Sequence, residues 1–171
     1  MRFVFVVSLS FIALAAGRLA ADDKPAADPL APLARFVGEW AVDGKWSGGE
    51  PLRARMVCEW GLGKKILKTK TFVQGGDKED QRYEAVMAWH PEKKCLYEVS
   101  FAFDGSISEY RLDAKDRDTL HVGFEPVPGG KAANVRQVLR FPDDDNFQWT
   151  VMVKQGDEWK QIMDATWKRK K

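Results

Sequence analysis

From residue 39 onward the chain is a series of short runs in which apolar and polar side chains alternate, each run closed by Gly, Pro, Asp or Asn. In the first run Trp40, Val42 and Trp46 share one face, while Asp43 and Lys45 share the other. A period of two residues is the spacing of a half-buried β-strand. About ten such runs follow one another, and no helical period of useful length interrupts them. The pattern therefore predicts an all-β domain.

The connections between these runs are short, and several have the composition of tight hairpin turns, such as Asp104-Gly105. Short connections place strands that are neighbours in sequence beside each other in space. A meander of ten strands leaves two unpaired edges unless the sheet closes on itself. A two-sheet sandwich would need long crossings, which the sequence lacks. We therefore predict a single antiparallel up-and-down barrel of about ten strands, with a short N-terminal helical turn at Leu33–Val37.

The first residues have the organisation of a secretory signal peptide. Arg2 precedes an apolar run, Phe3 to Ala16, and small residues follow. The run is shorter than the roughly twenty residues that span a bilayer; an uncleaved anchor is the alternative. We expect a signal peptide over residues 1–21, a Pro- and Ala-rich linker over 22–32 and the barrel domain over 33–171. The expected location is periplasmic or secreted, with no stable membrane insertion after cleavage.

The charge balance gives no indication of a nucleic-acid partner. Removal of Arg2 and Arg18 with the leader reduces the 27 basic residues to 25, equal to the 25 acidic ones. A nucleic-acid-binding domain would present a net basic surface. We therefore expect no nucleic-acid partner. The sequence carries no signal for an oligomeric state.

An apolar turn, the step Gly38-x-Trp40, a strand meander and a cation near the C-terminus resemble the calycin superfamily of lipocalin-like barrels. The resemblance implies that Trp40 caps the interior and that a cation from the last strand packs over it. Arg169, on the same alternation as Trp167, is the first candidate for this cation and Lys168 the second. A guanidinium over an indole face stabilises by roughly 0.5–2 kcal/mol. Gly38, Trp40, Trp167 and Arg169 are thus the expected closure residues.

More narrowly, the chain from Leu33 to Arg169 is similar to a bacterial, lipocalin-like family of secreted domains of unknown function. The similarity lies in three segments, residues 36–40, 59–67 and 83–91. A more distant likeness is to nitrobindin-type barrels, which place an iron-ligating His on a late strand. This chain departs from that pattern, because its two histidines are His90 in a turn and His121 on a predicted outward face. We therefore expect no haem and no other cofactor.

Catalytic and metal-binding arrangements are not apparent in the sequence. Neither histidine is predicted to line the interior, so no Ser-His-Asp triad can be assembled, and His90 and Cys95 are expected on different faces of a turn. No cluster of ligands has the spacing of a zinc or iron site. The acidic run at residues 143–145 is a weak Ca²⁺ candidate, and turn residues that keep a hairpin soluble are the favoured explanation. We expect no catalytic residue and no metal site.

The two cysteines, Cys58 and Cys95, lie near the same end of the predicted barrel on strands three positions apart. A strand spacing of about 4.8 Å then separates them by roughly 14 Å. A disulfide requires Cα atoms within about 7 Å. Two buried thiols are favoured, although export to an oxidising compartment would permit a disulfide if the barrel were flattened.

Aromatic residues carry most of the functional information. All seven Trp fall on the predicted inward alternation, where they either fill the lumen as core or line a pocket. An apolar wall with a few polar groups is typical of ligand pockets. We therefore predict a lumenal binding site at the end that carries the longer loops. Its expected ligand contacts are Trp46, Tyr83, Tyr97, Phe101, Tyr110, Phe124, Gln137 and Trp159.

Three functions are compatible with such a barrel. The preferred one is an exported lipocalin-like barrel that binds a small apolar molecule in its lumen without chemistry. The alternatives are a haem-dependent or isomerase-type barrel enzyme, and a filled barrel that acts as an interaction module in the cell envelope.

Overall fold

The computed structural model describes residues 28–171, in which one short 3₁₀ helix precedes ten β-strands. The predicted signal peptide lies outside the described residues. The elements are η1 (Ala31–Phe36), β1 (Gly38–Lys45), β2 (Pro51–Gly61), β3 (Ile66–Gly75), β4 (Lys78–His90), β5 (Cys95–Ala102), β6 (Ile107–Ala114), β7 (Thr119–Val122), β8 (Val135–Arg140), β9 (Asn146–Gln155) and β10 (Glu158–Arg169). Within this part of the chain, no helix has the length and apolar character needed to cross a bilayer.

The ten strands form one closed antiparallel barrel. Each strand pairs with its neighbours in sequence, and β1 also pairs with β10. The closing pairs are Trp40 with Arg169 and Ala41 with Lys168. Closure leaves no long strand edge unpaired, which is the physical reason for expecting it from a meander. The predicted fold class, strand number and N-terminal helical turn are confirmed.

The 3₁₀ helix η1 covers one end of the barrel. Leu33 and Phe36 on this helix are fully buried, and Leu30 just before it also joins the core. The Phe36 ring packs edge-on against Phe141, with 4.9 Å between the ring centroids, and also contacts Phe147 at 5.8 Å. Among the described residues, the first side chain that joins the core is therefore Leu30, which lies within the stretch expected to be linker.

Trp40 is the central side chain of this closed end. It has no solvent exposure, and its ring packs edge-on against Phe147 at a centroid distance of 4.9 Å. The indole Nε1 donates a 2.7 Å hydrogen bond to the carbonyl oxygen of Phe36. The indole thus buries its apolar area while its single polar atom is satisfied, as a buried Trp requires.

Arg169 lies over Trp40 from the last strand, with its guanidinium carbon 4.2 Å from the centre of the ring. The guanidinium donates hydrogen bonds to three backbone carbonyls: Nη1 to Val37 at 2.6 Å, Nη2 to Arg35 at 2.8 Å and Nε to Asp144 at 2.9 Å. One side chain therefore joins the end of β10, the last turn of η1 with the residue after it, and the turn before β9.

The two cysteines are free thiols, and both are buried. Burial raises the pKa of Cys58 to about 12, with the positive charge of Arg169 acting weakly in the opposite direction. Because the thiolate is the nucleophilic form, a thiol with this pKa is unreactive near neutral pH.

Replacing Arg169 by Met tests the closure. Arg169→Met keeps the aliphatic stem and removes the stacked charge and three hydrogen bonds, so we expect a loss of about 2–3 kcal/mol in the free energy of unfolding. Lys168→Met, at the exposed neighbouring position, is the matched control and should change stability by less than about 0.5 kcal/mol. Urea unfolding monitored by tryptophan fluorescence measures both. Equal effects of the two substitutions would contradict the role given to Arg169.

Gly38 provides a second test of the same end. Its φ is +129°, and a Cβ built there would lie 2.6 Å from Nη1 of Arg169. Gly38→Ala should therefore destabilise the barrel by at least about 1 kcal/mol, through backbone strain and displacement of the guanidinium. Gly75→Ala, where the added methyl meets open space, is the control for urea unfolding. A stable Gly38→Ala variant would show that the guanidinium can move without cost.

Candidate ligand-binding cavity

The barrel encloses a cavity of about 400 Å³. Its walls differ in chemistry on the two sides of the lumen. Strands β3, β5 and β6 contribute hydroxyl and carboxyl groups, from Thr69, Thr71, Glu98, Ser100, Ser108 and Tyr110. Strands β7 to β10 contribute a mainly apolar wall, from Leu120, Val122, Leu139, Phe147, Trp149 and Trp167.

The cavity extends toward the end of the barrel opposite Trp40. Phe103, Asp104 and Ser106, on the turn between β5 and β6, are among its lining residues. The Phe103 ring is 66% exposed, and the Arg82 guanidinium carbon lies 4.2 Å from its centre. Tyr83, half exposed, lies at the same end. The mouth of the cavity is therefore bordered by aromatic rings.

Three of the eight predicted ligand contacts line the cavity: Tyr83, Tyr110 and Gln137. The amide oxygen of Gln137 accepts a 2.7 Å hydrogen bond from Nε1 of Trp149, so this polar pair is satisfied within the apolar wall. Trp46 instead packs against the core, with its ring 6.4 Å from that of Trp149. The role of the three lining residues in binding stays a prediction.

The expected inward orientation of Tyr97 and Phe101 is wrong. In the β4–β5 hairpin Met87 pairs with Glu98 and Ala85 pairs with Ser100, so the even-numbered residues of β5 face the lumen with their β4 partners. Tyr97 is outside, where its ring meets His90 and Lys93. Phe101 is 44% exposed and pairs with Ile107, which is 63% exposed. Cross-strand register, and not the choice of the more aromatic face, decides which side is inner.

Phe124 is also outside the lumen, because the alternation of β7 ends at Val122. Gly123 has a φ of +73°, which turns the chain out of the strand. The Phe124 ring then stacks on His121, with 4.2 Å between the centroids, and the Arg136 guanidinium lies 5.0 Å from it. The predicted inward position of Phe124 is wrong because it assumed that the alternation continues past Gly123, whereas this glycine ends the strand.

Trp159 is turned outward by a β-bulge in β10. The register shifts between Gln161 and Met163, so one extra residue separates Trp159 from the inward-facing part of the strand. An extra residue reverses the faces of every side chain beyond it. Trp159 pairs with Lys154 and stacks beneath Arg136, with 4.0 Å from the guanidinium carbon to the ring.

Glu98 is the ionisable residue within the barrel wall that stands out among the lining residues that sequence reasoning missed. It lies between Met87 on β4 and Tyr110 on β6, and it is 8% exposed. Desolvation by burial raises the pKa of its carboxyl to about 7. The register that turns the Tyr97 side chain outward also turns the Glu98 side chain into the lumen. Pairing Trp89 with Leu96 correctly would therefore have identified Glu98 as a lining residue.

Other candidate chemistry lies away from the lumen. The Nδ1 atom of His90 accepts a hydrogen bond from the Lys93 amide, and burial lowers the pKa of His121 on the outer face. The Asp143 carboxylate accepts hydrogen bonds from the Asp145 amide and the Asn146 side chain within its own turn. Among residues 28–171, no three His, Cys, Asp or Glu side chains are grouped as a metal site would require.

The burial of Glu98 predicts a pH-dependent stability. The carboxyl is protonated in both folded and unfolded chains below about pH 4.5, whereas between pH 4.5 and about 7 the unfolded chain releases its proton first. Stability contributed by the protonated form is therefore present at low pH and is lost as the pH rises to about 7. Glu98→Gln should remove this loss and stabilise the protein above pH 7 by up to about 3 kcal/mol. Urea unfolding of both proteins from pH 4.5 to 8 measures it; parallel pH profiles would contradict a buried, titrating Glu98.

Comparison with known proteins supports the fold. Neither a family model nor a curated protein matches the chain. The crystal structure of Rv2717c from M. tuberculosis superposes with a TM-score of 0.55 at 17% identity, over 85% of this chain and 99% of that one. An S-type phycobiliprotein lyase, CPES, from Guillardia theta gives a TM-score of 0.49 at 10% identity, over 80% of this chain and 89% of that one. A redesigned β-barrel gives 0.44 at 13% identity, over 85% and 99%. The protein is therefore a closed ten-stranded antiparallel barrel whose fold is shared with Rv2717c.

Proposed function

We propose that this protein is an exported lipocalin-like barrel that holds a small, largely apolar molecule in its lumen and performs no chemistry on it. The observation that carries the proposal is the unfilled lumen of about 400 Å³. Ligand pockets commonly measure about 300–1,000 Å³ and combine an apolar wall with a few polar groups. The wall formed by β7 to β10 supplies the apolar area, and the hydroxyls of β3, β5 and β6 supply the polar groups.

Apolar burial would provide most of the affinity. Each Å² of apolar surface removed from water contributes about 25 cal/mol. Trp149 and Trp167 present aromatic surface to the lumen, while Tyr83 and Tyr110 offer hydroxyls that would fix the orientation of the ligand. We include in the same proposal that the protein is exported. We also include that it belongs to the calycin superfamily, close to the secreted, lipocalin-like family of unknown function. The packing of Arg169 over Trp40 is the feature that supports the membership.

The alternative functions receive less support from the geometry. Haem ligation by histidine in the lumen is disfavoured because His90 lies at a turn and His121 on the outer face. A filled interaction module is disfavoured by the cavity itself. An isomerase-type enzyme is the second candidate, because Glu98 supplies a buried carboxyl that could act as a base. A shift of conjugation in a β,γ-unsaturated ketone, followed by ultraviolet absorbance, would reveal such an activity.

Titration with the neutral probe N-phenyl-1-naphthylamine tests the proposal. Ser100 lines the lumen and Val99 precedes it on the outer face of the same strand. Wild-type protein should give a saturable fluorescence increase. Ser100→Phe should weaken binding about tenfold or more by filling the cavity, whereas Val99→Phe should keep the affinity within about twofold. The absence of saturable binding, or equal weakening by both variants, would overturn the lumenal site.

A further inference from the structure

Glu98 is a buried carboxyl in the wall of the lumen. Thr69 and Glu98 are the buried polar residues of the part of the chain that the structure describes, and Glu98 alone of the two can carry a charge. None of the ion pairs formed among residues 28–171 involves Glu98. A buried carboxylate without a cation costs stability unless something compensates its charge.

The wall that faces Glu98 is aromatic. In the order of strands around the barrel, β10 lies five positions from β5, on the opposite side of the ring. Trp167 on β10 and Trp149 on the adjacent β9 line the lumen there. Their rings meet edge-on with 6.0 Å between the centroids. A molecule in the lumen therefore contacts a carboxyl on one side and indole rings on the other.

We propose that the ligand of this lumen is an apolar amine whose ammonium group pairs with Glu98 and whose hydrocarbon part packs against Trp149 and Trp167. This inference rests on the proposed function and adds the chemical class of the ligand. An ammonium group donates hydrogen bonds to a carboxylate and is also attracted to the faces of aromatic rings. An alcohol of the same length supplies no charge, and a carboxylate of the same length is repelled.

Glu98 has no cationic side chain as a partner among residues 28–171, which favours such a ligand. A cation that arrives with the ligand compensates the buried charge, so the desolvation penalty already present in the protein becomes a source of selectivity. Hydrogen bonds to charged groups stabilise more than neutral ones. The preference for amine over alcohol is thus expected to be about tenfold or more in affinity.

The pairing should also depend on pH. Glu98 must be ionised to form an ion pair with the ammonium group, and burial raises the pKa of its carboxyl to about 7. From the flanking strands, Tyr83 on β4 and Tyr110 on β6 face the same lumen, and Asp104 lies on the adjoining turn. Burial raises the pKa of Tyr110, and a hydrogen bond from the Ser106 amide lowers the pKa of Asp104. Glu98 is therefore the group expected to give the binding of the amine its pH dependence between pH 5.5 and 8.5.

Three probes of equal length test the proposal: octylamine, octan-1-ol and octanoate. Tryptophan fluorescence follows their binding to the full chain. Wild-type protein at pH 8.5 should bind octylamine about tenfold or more tightly than octan-1-ol, and octanoate most weakly. At pH 5.5 the preference for the amine should fall toward unity because Glu98 is protonated.

Two variants distinguish the effect of the buried Glu98 carboxyl from the effect of negative charge on the surface. Glu98→Gln should remove the preference of octylamine over octan-1-ol at pH 8.5. Glu109→Gln, at an exposed position on β6, should retain it and controls for the general loss of one negative charge. The ratio of the two affinities is the readout, so a uniform change caused by altered packing does not affect the conclusion.

The outcomes distinguish the two levels of the proposal. Saturable binding of octan-1-ol with no preference for octylamine, or a preference that survives in Glu98→Gln, overturns the amine and leaves the lumenal site intact. Failure of all three probes to bind overturns the amine and the lumenal site together. A preference that disappears both in Glu98→Gln and at pH 5.5 supports the ammonium–Glu98 pair.

Discussion

The stack of Arg169 on Trp40 is the interaction on which the barrel depends, because it joins the two strands that close the sheet. The register pairs these residues across the β1–β10 seam, and the guanidinium binds three carbonyls from two other segments. Without this seam the meander would have two free edges and no enclosed space. The same contacts cover one end of the lumen, and the lumenal cavity extends toward the other end, where the β5–β6 turn lines it.

The lumen combines two requirements that oppose each other. A barrel packed to the density of an ordinary core would be more stable, because burial of apolar area and close packing both favour folding. This barrel instead leaves about 400 Å³ unfilled and places a carboxyl in the wall. Both features lower stability, and the aromatic core around Phe36, Trp40 and Phe147 at the closed end offsets them. Phe36 and Phe147 also line the cavity, so the same aromatic cluster forms the floor of the lumen and holds the closed end together.

The sequence predicted the barrel well because the signals for its strands and turns are local. Alternation, turn residues and short connections are properties of neighbouring residues, and together they required a closed meander. Tyr83, Tyr110 and Gln137 were placed toward the lumen by the same alternation. Alternation defines two faces of a strand, however, and the pairing with the next strand decides which face is inner. Glu98 was therefore missed on β5, whereas Phe124 and Trp159 were misplaced by a glycine and a bulge that interrupt the period.

The bulge at Ile162 also makes the interior tolerant of a one-residue deletion in the last strand. Because the bulge already takes up the extra residue, a chain without Ile162 would keep Trp159 opposite Lys154 and Met163 opposite Val151, now in a strand of regular register. The indole would therefore stay outside, and the side chains that face inward from Met163 to Trp167 would keep their partners.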